Sequence, residues 1–278
     1  MQVVKRLIEF ENRKEKTWYL VPLGDIHLGH ANCDKDLFLK TVEFIKETEN
    51  CLWVGMGDYA DAITAKDKRY DPHAIDPEYP TPDLQYRAIE EFFRPIADRC
   101  IGLLDGNHDY YHWLKHNHNY VDSLAYNLKV PYLTMDAYIR LVFKRNVGSR
   151  GDYTTFNLYA HHGWTNARTA GYKVLRIHDL AKIFPNLDLY LMGHVHVRGE
   201  APPKVQLYVD KGMNVIHHEE RFVFTGGYLR GYMPGAASYI EARGYTPTSL
   251  GSPLIKLEIL GRQYKGKPRY RITVGEIP

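Results

Sequence analysis

The chain has 278 residues, 44% of them hydrophobic and 25% charged, which is length and apolar content enough for a substantial core and excludes a disordered or fibrous protein. Lys and Arg number 36 against 33 Asp and Glu, a surplus too small to point to nucleic acid by charge alone. No apolar run is long enough to cross a bilayer, and the opening MQVVKRLIEFENRKEK carries charges where a secretion signal has an apolar stretch, so a cytoplasmic protein with no membrane partner is expected.

Short apolar runs alternate with helical patterns, the signature of an α/β protein. TWYLVPL at 17–23 reads as a buried strand, and Asp34 to Thr48 as a helix with Phe38, Val42 and Ile45 on one face. CLWVG at 51–55 is the next strand. Residues 61–82, DAITAKDKRYDPHAIDPEYPTP, are polar and rich in Pro and Asp; they read either as a lid over a site or as a surface insertion. Residues 83–94 look helical until Pro95 kinks or ends the helix, and CIGLL at 100–104 is a third strand. Val121, Leu124, Ala125 and Leu128 mark another amphipathic helix.

From about Tyr138 the pattern turns to strands: AYIRLVF, YTTFNLYA, LDLYLMG, VQLYV, MNVIHH and RFVFTG, with one clear helix among them, Tyr172 to Phe184. This predicts a second sheet, and two stacked sheets with helices outside would bury so many apolar strands in a single domain spanning 1–278. Gly226 to Pro253, with many Gly, Tyr and Pro residues, reads as a loop region that wraps back over the site and opens a C-terminal loop and strand extension, 226–278. Near the end, GRQYKGKPRYR interleaves basic residues with tyrosines; a solvated edge strand fits it better than a nucleic-acid contact.

Cys33, Cys51 and Cys100 are widely spaced and odd in number, which fits reduced core thiols rather than a disulfide framework or a thiolate metal site. Fourteen histidines are the unusual feature, since imidazole is a common metal ligand. Many fall in polar clusters at the ends of predicted strands, where open α/β sheets bind ligands. Gly24-Asp25-Ile26-His27 follows the first strand, Gly57-Asp58 the second and Asp105-Gly106-Asn107-His108-Asp109 the third. His161-His162-Gly163-Trp164 and Gly193-His194-Val195-His196 follow two later ones. A D-x-H or H-x-H pair in extended backbone projects both side chains to one side, so both can reach one metal.

The series DIH, GD, GNHD, HHG and GHVH resembles the calcineurin-like metallophosphoesterases, whose motifs run D-x-H, G-D, G-N-H-D/E, H and G-H-x-H. The resemblance spans Asp25 to His196 and implies an α/β fold, a four-layer α/β/β/α sandwich with two mixed sheets. It implies two divalent metal ions about 3.5 to 4 Å apart, with Mn²⁺, Fe and Zn²⁺ all suited to oxygen and imidazole ligands. Carried over by motif, Asp25, His27 and His196 would bind one ion, Asn107, His162 and His194 the other, and Asp58 would bridge them. His162 is preferred over its neighbour His161 because Gly follows it. The implied reaction is hydrolysis of a phosphoester, mono- or diester, by a metal-bridging hydroxide, with His108 assisting at the leaving oxygen and Asp109 orienting the His108 ring.

Several neighbours attract a second reading. Asp61 and His30 could support ligands by hydrogen bonds, Arg168 could pair with a phosphate oxygen, and Tyr110, His112 or Trp113 could stack on a nucleotide or nucleic-acid base, although aromatics there also suit local packing. His217 and His218 belong to no motif, and only one of them can face the cleft. The alternative from another class is a catalytically silent scaffold on the same fold, like the phosphoesterase-fold subunit of retromer; the complete ligand set favours the enzyme.

Overall fold

A computed structural model describes residues 1–10, 16–145, 152–165, 168–233, 239–242, 244–260 and 270–278. In chain order its first half runs β1 (Gln2–Phe10), β2 (Lys16–Leu23), α1 (Lys35–Glu47), β3 (Cys51–Gly55), α2 (Pro82–Phe93), β4 (Cys100–Leu104), α3 (Asn107–His116), α4 (Tyr120–Leu128) and β5 (Tyr132–Thr134). The second half runs β6 (Asp136–Arg145), β7 (Asp152–His161), α5 (Ala170–Ile183), β8 (Leu189–Met192), β9 (Arg198–Val209), β10 (Val215–Thr225), α6 (Tyr239–Ala242), β11 (Pro253–Ile259) and β12 (Tyr270–Glu276).

β3 and β4 are buried along their whole length, as a parallel strand covered on both faces requires. They lie between β2 and β5 in a sheet ordered β12-β11-β2-β3-β4-β5, in which β2 to β5 are parallel and β11 and β12 antiparallel. The other sheet is ordered β1-β6-β7-β8-β10-β9 and is also mixed. Leu20, Val54 and Ile101 of one sheet share an apolar layer with Ile139, Leu158 and Leu191 of the other. Phe38, Ile89 and Val121, from α1, α2 and α4, pack on the outer face of the first sheet, and Ile177 and Leu180 of α5 on that of the second. The fold is therefore the four-layer α/β/β/α sandwich.

Local chemistry explains where the elements begin. Asp34 caps α1, its side chain accepting from the Leu37 amide at 3.1 Å, so the buried stripe Phe38, Val42 and Ile45 starts in register. Pro95 does not extend α2; the chain passes into a 3-10 turn, Arg94–Arg99, that leads to β4.

Three expectations change. MNVIHH and RFVFTG form one strand, β10, which absorbs its irregularity as a register shift between Glu220 and Phe222. VQLYV is only the end of β9, which runs on through Pro202 and Pro203 because it is an edge strand paired to β10 alone. β1 was hidden by its charges: it is an edge strand with mostly exposed side chains, parallel to β6. Of GRQYKGKPRYR, Tyr270 and Arg271 lie in edge strand β12, and residues 261–269 are outside the described residues. The Gly226–Pro253 region does return to the ligand loops: a Cβ on Gly227 would lie 3.0 Å from that of Asp25 and 3.4 Å from His196 Nδ1. Residues 234–238 and 243 of it are not described. Among the described residues no helix is long and apolar enough to cross a membrane.

Candidate metal centre

β2, β3 and β4 are parallel, so the loops that follow them leave from the same edge of the sheet. Those loops are bonded to one another: the Asp25 amide donates to Gly57 O at 2.9 Å, and the Ile26 amide to Asp58 O at 2.9 Å. The second sheet adds its loops across the layer, the His162 imidazole donating from Nδ1 to Met56 O at 2.7 Å and the His194 amide to Asp25 Oδ2 at 2.9 Å. All seven presumed ligands meet here.

Their donor atoms form two groups that share a carboxylate. His196 Nε2 lies 3.2 Å from His27 Nε2 and 3.5 Å from Asp25 Oδ1, which has no hydrogen-bond partner. Asn107 Oδ1 lies 3.1 Å from His162 Nε2 and 2.6 Å from His194 Nδ1. Between the groups sits Asp58 Oδ2, 3.8 Å from His27 Nε2 and 3.5 Å from His162 Nε2. Turning the Asn107 amide over would aim its nitrogen at these acceptors; with oxygen inward the cluster is a ring of lone pairs, which a cation holds together. The residues present therefore fit divalent metal: carboxylate, amide and imidazole, largely buried and converging, without thiolate.

The D-x-H and H-x-H pairs do not converge by strand alternation as their spacing predicts. Asp25, His27, Asp58, His194 and His196 all have left-handed backbone, with φ between 49° and 67°. Such conformations are disfavoured for side chains with a Cβ and persist where surrounding contacts over-determine them. Gly57, at φ +87°, permits a close approach of backbones: a Cβ there would overlap the Gly106 amide nitrogen of the third loop.

Burial and mutual repulsion set the charges. Burial pushes the Asp25 carboxyl up to about 7, with Asp58 adding repulsion and His162 and His27 opposing it. Asp58 is equally buried, yet His162, His108 and His27 outweigh that and hold it well below the ordinary carboxylate range. His162 is raised to about 10 against burial by Asp58, whereas burial and the neighbouring His162 lower His194 to about 4. Burial also lowers His196, aided by His27. A cation would favour the charged carboxylate and neutral imidazole forms that ligation needs.

His108 belongs to the cluster but is engaged at both nitrogens. Nδ1 donates to Asp61 O at 2.6 Å, which leaves Nε2 to accept from Arg69 Nη1 at 3.0 Å. Its ring atoms lie near His27 and Asp58, close enough that geometry groups the three as a further ligand set. The expected partner of its ring is corrected: the Asp109 carboxylate accepts from the Asp58 amide and the Gly106 amide, each at 2.7 Å, and from the Tyr86 hydroxyl. Asp109 thus ties the second and third loops together, while Asp61 holds the imidazole and also places Oδ1 3.5 Å from His27 Nδ1.

The remaining expected residues separate. His161 turns away from the ligand atoms, its Nδ1 accepting from the Gly163 amide at 2.8 Å and its ring meeting Trp164. Arg168 lies 6.0 Å from the ring centre of Tyr245. His30 accepts the Asn32 amide at 3.0 Å, and His218 is occupied by Leu187 O at 3.1 Å. His112 is buried against His116 and Tyr120, while Tyr110 and Trp113 are partly exposed. Arg69, which reaches the site from the 61–82 segment, and Tyr86, which anchors Asp109, had no motif to announce them.

A family model described as calcineurin-like phosphoesterase matches residues 21–198. The chain belongs to that family. The comparison with curated proteins returns no match. All seven ligand candidates fall within the matched span, and Gly227, which approaches Asp25 and His196, lies beyond it.

Proposed function

We propose that the protein is a hydrolase acting on phosphomonoesters or phosphodiesters at a centre of two divalent ions, with Mn²⁺, Fe and Zn²⁺ as candidates. Asp25, His27 and His196 would hold one ion, Asn107, His162 and His194 the other, and Asp58 would serve both. The convergence of these atoms around Asp58 carries the reading. When bound, the metals supply charge neutralisation at the phosphoryl oxygens and a water acidic enough to attack near neutral pH.

The other residues position and protonate. His108 takes the role at the leaving oxygen: its Nε2 accepts from Arg69, so it would protonate that oxygen only as the imidazolium, while the Asp61 carbonyl holds Nδ1. Asp109 acts through backbone, holding the Asp58 and Gly106 amides in place. Arg69 is braced by Asp67 at 2.8 Å and lies 5.3 Å from the ring centre of Tyr111. Its Nη1, now on His108, is the donor a phosphoryl oxygen takes over, which supports a lid role for 61–82 within a single working domain. A reducing cytoplasm belongs to the same reading, since Cys33, Cys51 and Cys100 are free thiols.

The experiment is metal analysis of the purified protein together with hydrolysis of p-nitrophenyl phosphate, its bis ester and p-nitrophenyl phenylphosphonate across added Mn²⁺, Zn²⁺ and Fe²⁺. Two equivalents of metal and turnover of at least one ester are expected. A protein that takes up no metal, or that takes it up and cleaves none of the three, is the scaffold instead.

A further inference from the structure

His194 and His196 line a second space as well. A cavity of about 630 Å³ opens beside them, between the start of α5, strand β9 and the Gly226–Pro253 region. Val174, Val197, Phe224, Leu229 and Ile240 give it an apolar wall.

Its charges are unevenly matched. Arg198 is paired with Glu276 at 2.6 Å, Arg230 with Asp34 at 2.6 Å, and the lining Glu200 is taken by Arg221 at 2.9 Å. Two cations are left. Lys173 Nζ is partly buried, reaches only the Val195 carbonyl at 3.4 Å, between the two histidines, and has no carboxylate partner among the described residues. Arg168 is exposed at the rim against Tyr245, likewise without a carboxylate among the described residues. Burial lowers the Lys173 pKa, the signature of an ammonium short of a counter-ion.

We propose that this cavity receives the organic part of the substrate, and that Lys173 and Arg168 bind a second anionic group carried on it, remote from the scissile phosphoryl group. The substrate class is then an organic phosphoester with an apolar body and an additional negative charge. This rests on the phosphoesterase reading of the adjoining centre. The apolar wall strengthens the ion pair by excluding water, and the region that completes it lies outside the span shared with the family.

The test uses two phosphonates of equal length that hydrolysis does not consume, hexylphosphonate and 6-phosphonohexanoate, titrated calorimetrically into the full chain with saturating Mn²⁺. The carboxylate compound is expected to bind about tenfold tighter. Lys173→Met removes the preference, Arg168→Gln reduces it, Lys173→Arg retains it, and Lys211→Met, on the exposed β9–β10 turn, leaves both affinities unchanged. Unfolding midpoints confirm that each variant is folded, and the exposed Arg168 provides a second route should the Lys173 variant fail. Equal affinities in the unsubstituted protein, or a preference that survives loss of both cations, overturn the proposal. Failure of the phosphoesterase reading shows separately, as silence in the ester panel; discrimination with a silent panel keeps the pocket, and an active panel without discrimination removes the pocket alone.

Discussion

At the candidate metal centre the donor atoms come from short side chains on largely buried loops and the first turn of α3, and many are fixed by backbone hydrogen bonds within about one residue. In the adjoining cavity the wall is apolar, and the unmatched charges ride on long side chains at the start of α5 and at the rim. The two share His194 and His196 yet differ in what they tolerate. The first needs atoms placed to a fraction of an ångström and spends backbone strain to do it; the second needs only an apolar volume and a positive field. Substitution at the centre is therefore expected to abolish function, and substitution in the cavity to redirect it.

The sharpest test of that contrast lies inside the centre, between the bridging carboxylate and the histidine beside it. Asp58→Ala is expected to lower kcat/KM by at least about a thousandfold and to reduce bound metal, since both groups of ligands depend on one oxygen. His108→Ala is expected to lower kcat by about a hundred- to ten-thousandfold with metal content unchanged, because both ring nitrogens are already engaged by Asp61 and Arg69. Kinetics with elemental analysis decide it. An apo His108 variant would make His108 a ligand, in line with its place beside His27 and Asp58.

A smaller effect tests whether the loops, rather than the ligands, carry the precision. Gly57→Ala touches no donor atom but drives a Cβ into the Gly106 backbone from a left-handed position. A loss of about 2 to 4 kcal/mol in stability is expected. It should be accompanied by weaker metal retention, read from urea unfolding and from metal content after dialysis against chelator. Gly171, whose Cβ would meet nothing within 4 Å, is the control position. Equal losses at the two glycines would remove the case for loop precision.

The motifs make the candidate cluster legible because each proposed ligand follows closely on an apolar strand, and strand ends in a parallel sheet share an edge. Three strands of the first sheet, β2, β3 and β4, are legible almost to the residue for the same reason: CLWVG and CIGLL are buried on both faces and flanked by Gly and polar residues, whereas β5 and β11 carry no such signal. What stayed hidden depends on contacts remote in sequence. Asp109 was assigned to the wrong partner because adjacency to His108 says nothing of the Tyr86 hydroxyl on α2 that claims it. Arg69 lies in an irregular segment with no period to place it, and the left-handed backbone at Asp25 or His196 has no residue signature when glycine is absent. Lys173 carries no motif that sets it apart from other helical lysines; only the cavity beside it does.

Farther out, α3 offers the mildest comparison: its first turn bears Asn107, His108 and Asp109, and one turn later His112 is buried with Nδ1 unpartnered. Burial, reinforced by the nearby His116, lowers the His112 pKa to about 4. The unfolded chain, near the ordinary 6.5, takes up a proton on acidification before the folded chain does. Stability from this group is thus fully present above 6.5 and is lost as pH falls toward 4. His112→Phe removes the titration while keeping an aromatic ring against Tyr120, so unfolding free energy should vary less between pH 7 and pH 5 in the variant. The difference is about 1 to 2 kcal/mol, the linkage expected between pH 7 and pH 5 for a group that titrates near 4 folded and near 6.5 unfolded. Urea midpoints at the two pH values measure it. A gap between the two proteins that is the same at both would mean that His112 takes its proton as readily folded as unfolded, and that the tight packing of the centre ends with the first turn of α3.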